Sequence, residues 1–94
     1  MAEIRIIGIK RSDDKNHPAP LEGIVDYNWR NEEINVVGVS NRRSMVEWIE
    51  GGDRAYIQDA AGNKIYCEVR QNAFGNKYLQ TVKDGVGTED LLGV

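Results

Sequence analysis

The sequence is poor in the residues from which most catalytic and metal centres are assembled: its 94 residues include one cysteine and one histidine. A single thiol, Cys67, excludes an intrachain disulfide framework and a cysteine-rich zinc site. It fits a reducing compartment, and the cytoplasm is the expected location. The lone histidine, His17, stands in "KNHPAP" without a second histidine or a cysteine beside it, and reads as a solvated loop residue. There are only two prolines, Pro18 and Pro20, and they keep that loop out of any helix. No apolar run approaches the length of a membrane span, and "MAEIRIIGIK" is too short and too interrupted by charge for a secretory signal. No membrane association is expected. Excess positive charge is missing too: 12 basic against 15 acidic residues leave a net charge of -3, which argues against nonspecific coating of DNA. No Ser/His/Asp set, HExxH motif or Gly-rich phosphate loop before a helix occurs. Enzyme activity is therefore disfavoured, and no cofactor or metal is expected.

What is present suits one ordinary globular domain over residues 1–94, with enough apolar residues for a modest core. A chain of this size can also gain stability as a homo-oligomer. The β-branched run "EIRIIGIK" reads as a strand, followed by the polar cluster "RSDDKNHPAP". In "GIVDYNWR" the period-two alternation puts Val25, Tyr27 and Trp29 on one face of a strand, and "INVVGVS" reads as its hairpin partner across the turn "NEE".

One helix is expected in "SNRRSMVEWIEGG", capped by Ser40 or Asn41 and ended by Gly51 and Gly52. At 100° per residue, Met45, Val46, Trp48 and Ile49 form one apolar arc, with Arg43, Glu47 and Glu50 opposite.

Farther along, "DAAGNK" at 59–64 is echoed by "NAFGNK" at 72–77. In each, an Asp or Asn side chain can open a type I turn and a glycine can take the left-handed position that closes a three-residue hairpin loop. The implied meander is Arg54–Gln58, Lys64–Arg70 and Lys77–Val82, pairing Ile57 with Ile65 and Val69 with Leu79 on a face shared by Ala55, Cys67 and Thr81. The opposite face carries Tyr56, Tyr66 and Tyr78 with Arg54, Lys64 and Arg70. The expected fold is thus α+β: a mainly antiparallel sheet or small open barrel, with one helix between an N-terminal β segment and a C-terminal three-stranded meander.

The strand–helix–meander order, the helix "VEWIEGG", the strand "KYLQT" and the ending "DGVGTEDLL" resemble domain-of-unknown-function family thirty-eight ninety-two, a group of small bacterial and phage proteins. The matching positions are Tyr78, Leu79, Thr81, Asp84, Asp90, Leu91 and Leu92, with Glu89-Asp90 where the family usually has Asp-Asn. The resemblance implies this fold and an association with phage or mobile elements. It transfers no catalytic residue. It also favours Leu91 and Leu92 docking on the sheet over their being a tail offered to a partner.

Three features bear on binding. Arg42 and Arg43 stand in the first helical turn, where the macrodipole disfavours positive charge; an anion at the helix start would explain them, and so would a wet surface. The tyrosine face is a stacking platform if open and core if covered. Phe74, at the tip of the second turn, is a candidate anchor for a partner. The acidic segment "DGVGTED" reads as a solvated turn, since it lacks the alternating ligands of a calcium loop. The expectation is a non-enzymatic binding module, such as a phage accessory or counter-defence protein. It would capture a host protein or an anionic nucleotide-like ligand through Arg42, Arg43, Arg54, Tyr56, Tyr66, Arg70 and Tyr78. The alternative is a single-stranded nucleic-acid-binding domain using the tyrosine/arginine face, which the net negative charge disfavours.

Overall fold

The computed structural model describes residues 2–11 and 20–94; His17 lies outside them. The strands are β1 (Glu3–Arg11), β2 (Ile24–Asn31), β3 (Val36–Asn41), β4 (Arg54–Gln58), β5 (Lys64–Gln71), β6 (Lys77–Lys83) and β7 (Val86–Thr88). One helix, α1 (Arg42–Glu50), separates β3 from β4, and 3₁₀ turns at Pro20–Gly23 and Asp90–Gly93 precede β2 and follow β7. The seven strands among the described residues form a single sheet in the order β3-β2-β1-β4-β5-β6-β7. The order has two ends, so the sheet is open rather than a closed barrel. It is also mixed, because β1 and β4 run parallel while the other neighbours are antiparallel. A parallel pair needs a crossover connection, and α1 supplies it.

The helix forms where its caps permit. Asn41 Oδ1 accepts from the Ser44 backbone N–H at 2.8 Å, and at the other end the Gly51 and Gly52 N–H groups return to Glu47 and Ile49, with Gly52 at φ +103°. Met45 and Val46 are buried and Trp48 and Ile49 pack against the same core, which is the arc expected from the periodicity.

The two echoed segments fold alike. Asp59 Oδ1 accepts from the Ala61 and Asn63 N–H groups at 3.0 and 2.8 Å, and Asn72 Oδ1 from Phe74 and Asn76 at 2.9 and 3.0 Å. Gly62 and Gly75 both adopt φ +85°. The resulting register matches the expected one, with Tyr56 opposite Tyr66, Ile57 opposite Ile65, Val69 opposite Leu79 and Arg70 opposite Tyr78. One difference between the turns has a physical use: the Asn72 amide donates to Glu22 Oε1 at 2.5 Å, where a second carboxylate would be repelled.

Three expectations are corrected. The C-terminal meander has four strands, because Asp84 (φ +53°) and Gly85 (φ +79°) make a two-residue hairpin that pairs β7 with β6. Positive φ at both residues is the type I′ geometry favoured between twisted strands, and "DG" was its signature. Second, Ile34 belongs to the β2–β3 turn rather than to the third strand. Third, Val25 does not share the inner face with Tyr27 and Trp29. Lys10 pairs with Asp26 but Arg11 pairs with Ile24, so Val25 bulges outward and Ile24 takes its place, fully buried. A second bulge at Ile7 shifts the phase of β1, so that Ile4, Ile6 and then Ile9 meet the core.

The C-terminus closes that core. Leu91 is fully buried and Leu92 packs beside it. Burying one leucine is worth about 1.5–3 kcal/mol, enough to hold a short apolar ending on the sheet. Tyr27 is also fully buried; its hydroxyl lies beside the Leu79 backbone without a well-formed hydrogen bond, and burial raises its pKa well above the ordinary value.

Gly62→Ala and Gly75→Ala should each destabilise the fold by about 1 kcal/mol, since a Cβ is strained at positive φ. No atom lies within 4 Å of a Cβ built on Gly62, and on Gly75 the nearest is Gln71 Nε2 at 3.6 Å, so the cost is conformational in both. Chemical denaturation of the two variants would measure it; unchanged midpoints would show that the left-handed geometry is not required.

Candidate functional site

The sheet separates two surfaces. On the outer face, Tyr56 and Tyr66 meet with ring centroids 5.9 Å apart, as the hairpin register requires. Charge already covers them. Lys64 Nζ stands 4.7 Å above the Tyr56 ring and bonds Glu3 Oε1 at 2.5 Å; the Arg54 guanidinium lies 5.5 Å from the Tyr66 ring, whose hydroxyl donates to Glu3 Oε2 at 3.1 Å. Glu32, from the β2–β3 turn, accepts from the Tyr56 hydroxyl and pairs with Arg5, each at 3.4 Å. Tyr56 is left only 4% exposed and offers no free ring face for stacking. Desolvation first, and then the Glu32 charge, raise its pKa. Tyr66 and Tyr78 are half-buried, Tyr78 in contact with the core, and Arg70 pairs with Glu68 at 3.2 Å.

Arg42 and Arg43 are elsewhere. The helix packs on the inner face through Met45 and Val46, so the sheet stands between these arginines and the Tyr56–Tyr66 pair. Arg42 Nη1 donates to the Glu22 carbonyl and ties the first 3₁₀ turn to the helix. Arg43 is 88% exposed and pairs with Glu47 one turn along at 3.3 Å. With Lys77 and Glu50, these residues line a shallow depression of mixed charge. Phe74 is 89% exposed at its turn, as expected. Cys67 is buried, and desolvation pushes its thiol up to about 12, which leaves no thiolate at neutral pH. Among the described residues, no group of three or more His, Cys, Asp or Glu side chains is placed to hold a metal ion, and no helix is long and apolar enough to cross a membrane.

The feature that the sequence did not reveal is an apolar cleft of about 300 Å³ between α1 and β3. Asn41 is both the last residue of β3 and the helix N-cap, so the chain turns back at once and sets Ser44, Met45 and Trp48 beside the strand it has just left. Trp29 on β2 supplies the other aromatic wall. It stands opposite Gly38, and a Cβ there would lie 2.5 Å from the indole ring, so the missing side chain is what lets the ring lie flat over β3. The Trp29 Nε1–H donates to Ser40 Oγ at 3.0 Å and holds that orientation. Ile4, Ile34, Met45 and Val36 complete the apolar lining; Asn31, Ser40 and Ser44 are its polar groups, and none of the lining residues is ionisable. The periodicity put Trp48 on the apolar arc of the helix and Trp29 on one strand face with Val25 and Tyr27, without relating the two. The signal available was the hairpin register, which sets the largest side chain against none at all.

The outer network predicts an acid response. The Lys64 hydrogen bond, aided by the Tyr66 hydroxyl and opposed by desolvation, holds Glu3 below the usual glutamate range. A depressed folded pKa adds stability above the unfolded value and loses it as pH falls through the folded one. Glu3→Gln should therefore melt below the wild type at neutral pH, with the gap narrowing as the pH falls below the ordinary glutamate range and through the lowered pKa of Glu3. A constant gap would mean the ion pair contributes nothing. For the cleft, Gly38→Ala should displace the Trp29 ring, at about 1–3 kcal/mol, and shift tryptophan emission. Unchanged emission and stability would refute the close packing.

Comparison with protein-family models, with curated proteins and with solved structures finds no match, so these findings neither support nor oppose the family resemblance, and the functional reading rests on the geometry.

Proposed function

We propose that the chain is a non-enzymatic binding module whose ligand site is the Trp29–Trp48 cleft, and that the ligand is a flat, neutral ring system carrying one or two hydrogen-bonding groups. The observation that carries this reading is the lining: two indoles, aliphatic walls and three neutral polar side chains around about 300 Å³, without an ionisable group. Small-molecule sites have this make-up, and the volume is at the lower end of their range. A ring entering the cleft gains contact with the indoles, while Asn31 and Ser44 can orient it by hydrogen bonds.

An anionic ligand fits less well. Arg42 and Arg43 lie on the other flank of α1, and the basic groups of the tyrosine face are engaged by Glu3, Glu68 and the Tyr66 ring. Capturing a phosphate on that face would first require breaking these pairs. The cleft therefore supports capture of a base-like ring without support for its phosphate.

The test is a titration of tryptophan emission with adenosine and, separately, adenosine monophosphate, each to about millimolar concentration. Adenosine should perturb the emission saturably, and the phosphate should bring no gain in affinity. Trp48→Ala, checked for folding by circular dichroism, should weaken binding by about five- to 150-fold, because one stacking contact is worth about 1–3 kcal/mol. If neither probe changes the emission, the ligand reading fails. If the monophosphate binds more tightly and Arg54→Ala abolishes it while Trp48→Ala does not, the site is the tyrosine face instead.

A further inference from the structure

The polar groups of the cleft are not interchangeable, because the fold already occupies some of their atoms. Asn31 stands two residues beyond Trp29, so it shares that residue's side of β2, at the point where the strand gives way to the turn. Its Oδ1 accepts from the Glu33 N–H at 3.1 Å and from the Ile34 N–H at 3.3 Å, the side-chain arrangement that opens such a turn. Two backbone donors on one atom orient the amide, since the reverse orientation would set its NH₂ against both N–H groups. The oxygen is held by the turn. What Asn31 can offer the cleft is Nδ2, which donates to nothing among the described residues.

The other lining groups have the same bias. Ser40 Oγ accepts from the Trp29 Nε1–H at 3.0 Å, which occupies one lone pair and leaves its O–H to donate. The Trp48 indole N–H can only donate, and among the described residues neither it nor the Ser44 hydroxyl has an acceptor. Apart from hydroxyl lone pairs and the weakly accepting Met45 sulfur, the side chains of the cleft present donors. A ring that fills the cleft takes water from these donors. An N–H edge would leave Asn31 Nδ2 facing another donor, whereas a carbonyl satisfies it, and a buried donor left unpaired is costly.

We propose that the cleft selects rings by the sense of their hydrogen bond: its ligand is a flat, neutral ring that presents a carbonyl, received by Asn31 Nδ2, and a ring that presents only an N–H is disfavoured. The proposal rests on the cleft being the ligand site and adds the chemical class that the site takes. Asn31 is then the residue that determines specificity, because the turn has removed its accepting atom from use.

Calorimetric titration with coumarin and with indole tests it. Both are flat, uncharged bicyclic molecules of similar size; coumarin carries a carbonyl and no donor, and indole an N–H and no comparable acceptor. Indole is the more apolar, so apolar contact alone would favour it. The wild type should instead bind coumarin more tightly by about tenfold or more, and Trp48→Ala should weaken both. Asn31→Asp should keep the turn, since Asp59 accepts from backbone N–H groups in the same way in its own turn, while its second oxygen only accepts at neutral pH. With folding checked by circular dichroism, this variant should lose the preference for coumarin and favour indole. If both probes bind the wild type through Trp48 and indole binds as tightly as coumarin, the selection is overturned and the cleft stands as a site. A preference for coumarin that survives Asn31→Asp overturns it as well. If neither probe binds, or both bind unaffected by Trp48→Ala, the cleft itself fails as the ligand site and the selection falls with it.

Discussion

The structure depends on a short parallel contact, in which Glu3, Ile4 and Arg5 of β1 run beside Arg54, Ala55 and Tyr56 of β4. Among the described residues, two antiparallel units, β3-β2-β1 and β4-β5-β6-β7, are joined by strand pairing only along this seam. Its start is secured by the Arg54 N–H, which donates to the Ala2 carbonyl at 3.0 Å, and by the Ala2 N–H, which donates to Asp53 Oδ1 at 2.8 Å. A parallel pair cannot be closed by a tight turn, so the chain must leave the sheet and return over one face. That requirement places α1 on the inner face and Met45 and Val46 in the core. It also places Trp48 near the tryptophan that β2 contributes.

The seam also sets the chemistry of the outer face. Glu3 is a neighbour of Arg54 by register, and the next hairpin brings Lys64 and Tyr66 within its reach. Glu32 arrives from the other side to meet Arg5 and Tyr56. The basic and aromatic groups that could have formed an open stacking surface instead satisfy one another around two carboxylates. A surface that has closed on itself in this way offers a ligand little, because each new contact must replace an existing one. The inner cleft is different. Its walls are half-buried indoles whose contacts are incomplete, and its polar groups are neutral, so a ring can enter without separating any ion pair.

Most of the C-terminal half was legible because its information is local. The Asp59 and Asn72 turns are written in six residues each, and counting outward from them yields every cross-strand pair through Arg70 and Tyr78. The helix was legible for the same reason, since Asn41 and Gly52 act within a turn of the segment they bound. The N-terminal half was read less well. A bulge adds one residue to one strand only, and nothing in "EIRIIGIK" or "GIVDYNWR" marks Ile7 or Val25 as the residue to be skipped. The hairpin at Asp84-Gly85 was legible in principle and was read as a solvated turn.

The candidate site belongs to a different class of information. Ile4, Trp29, Met45 and Trp48 come from two strands and a helix, and no spacing in the chain relates them. Turn and cap chemistry determined the helix, the register of β4 to β6 and the identity of the left-handed glycines, because these depend on hydrogen bonds between residues a few positions apart. Which face of each aromatic is covered, and by what, was decided only when the parallel seam brought distant elements together. Burial is a property of neighbours, and for Tyr56, Trp29 and Trp48 these include side chains brought in by other elements, such as Glu32 at Tyr56 and Ile4 in the tryptophan cleft.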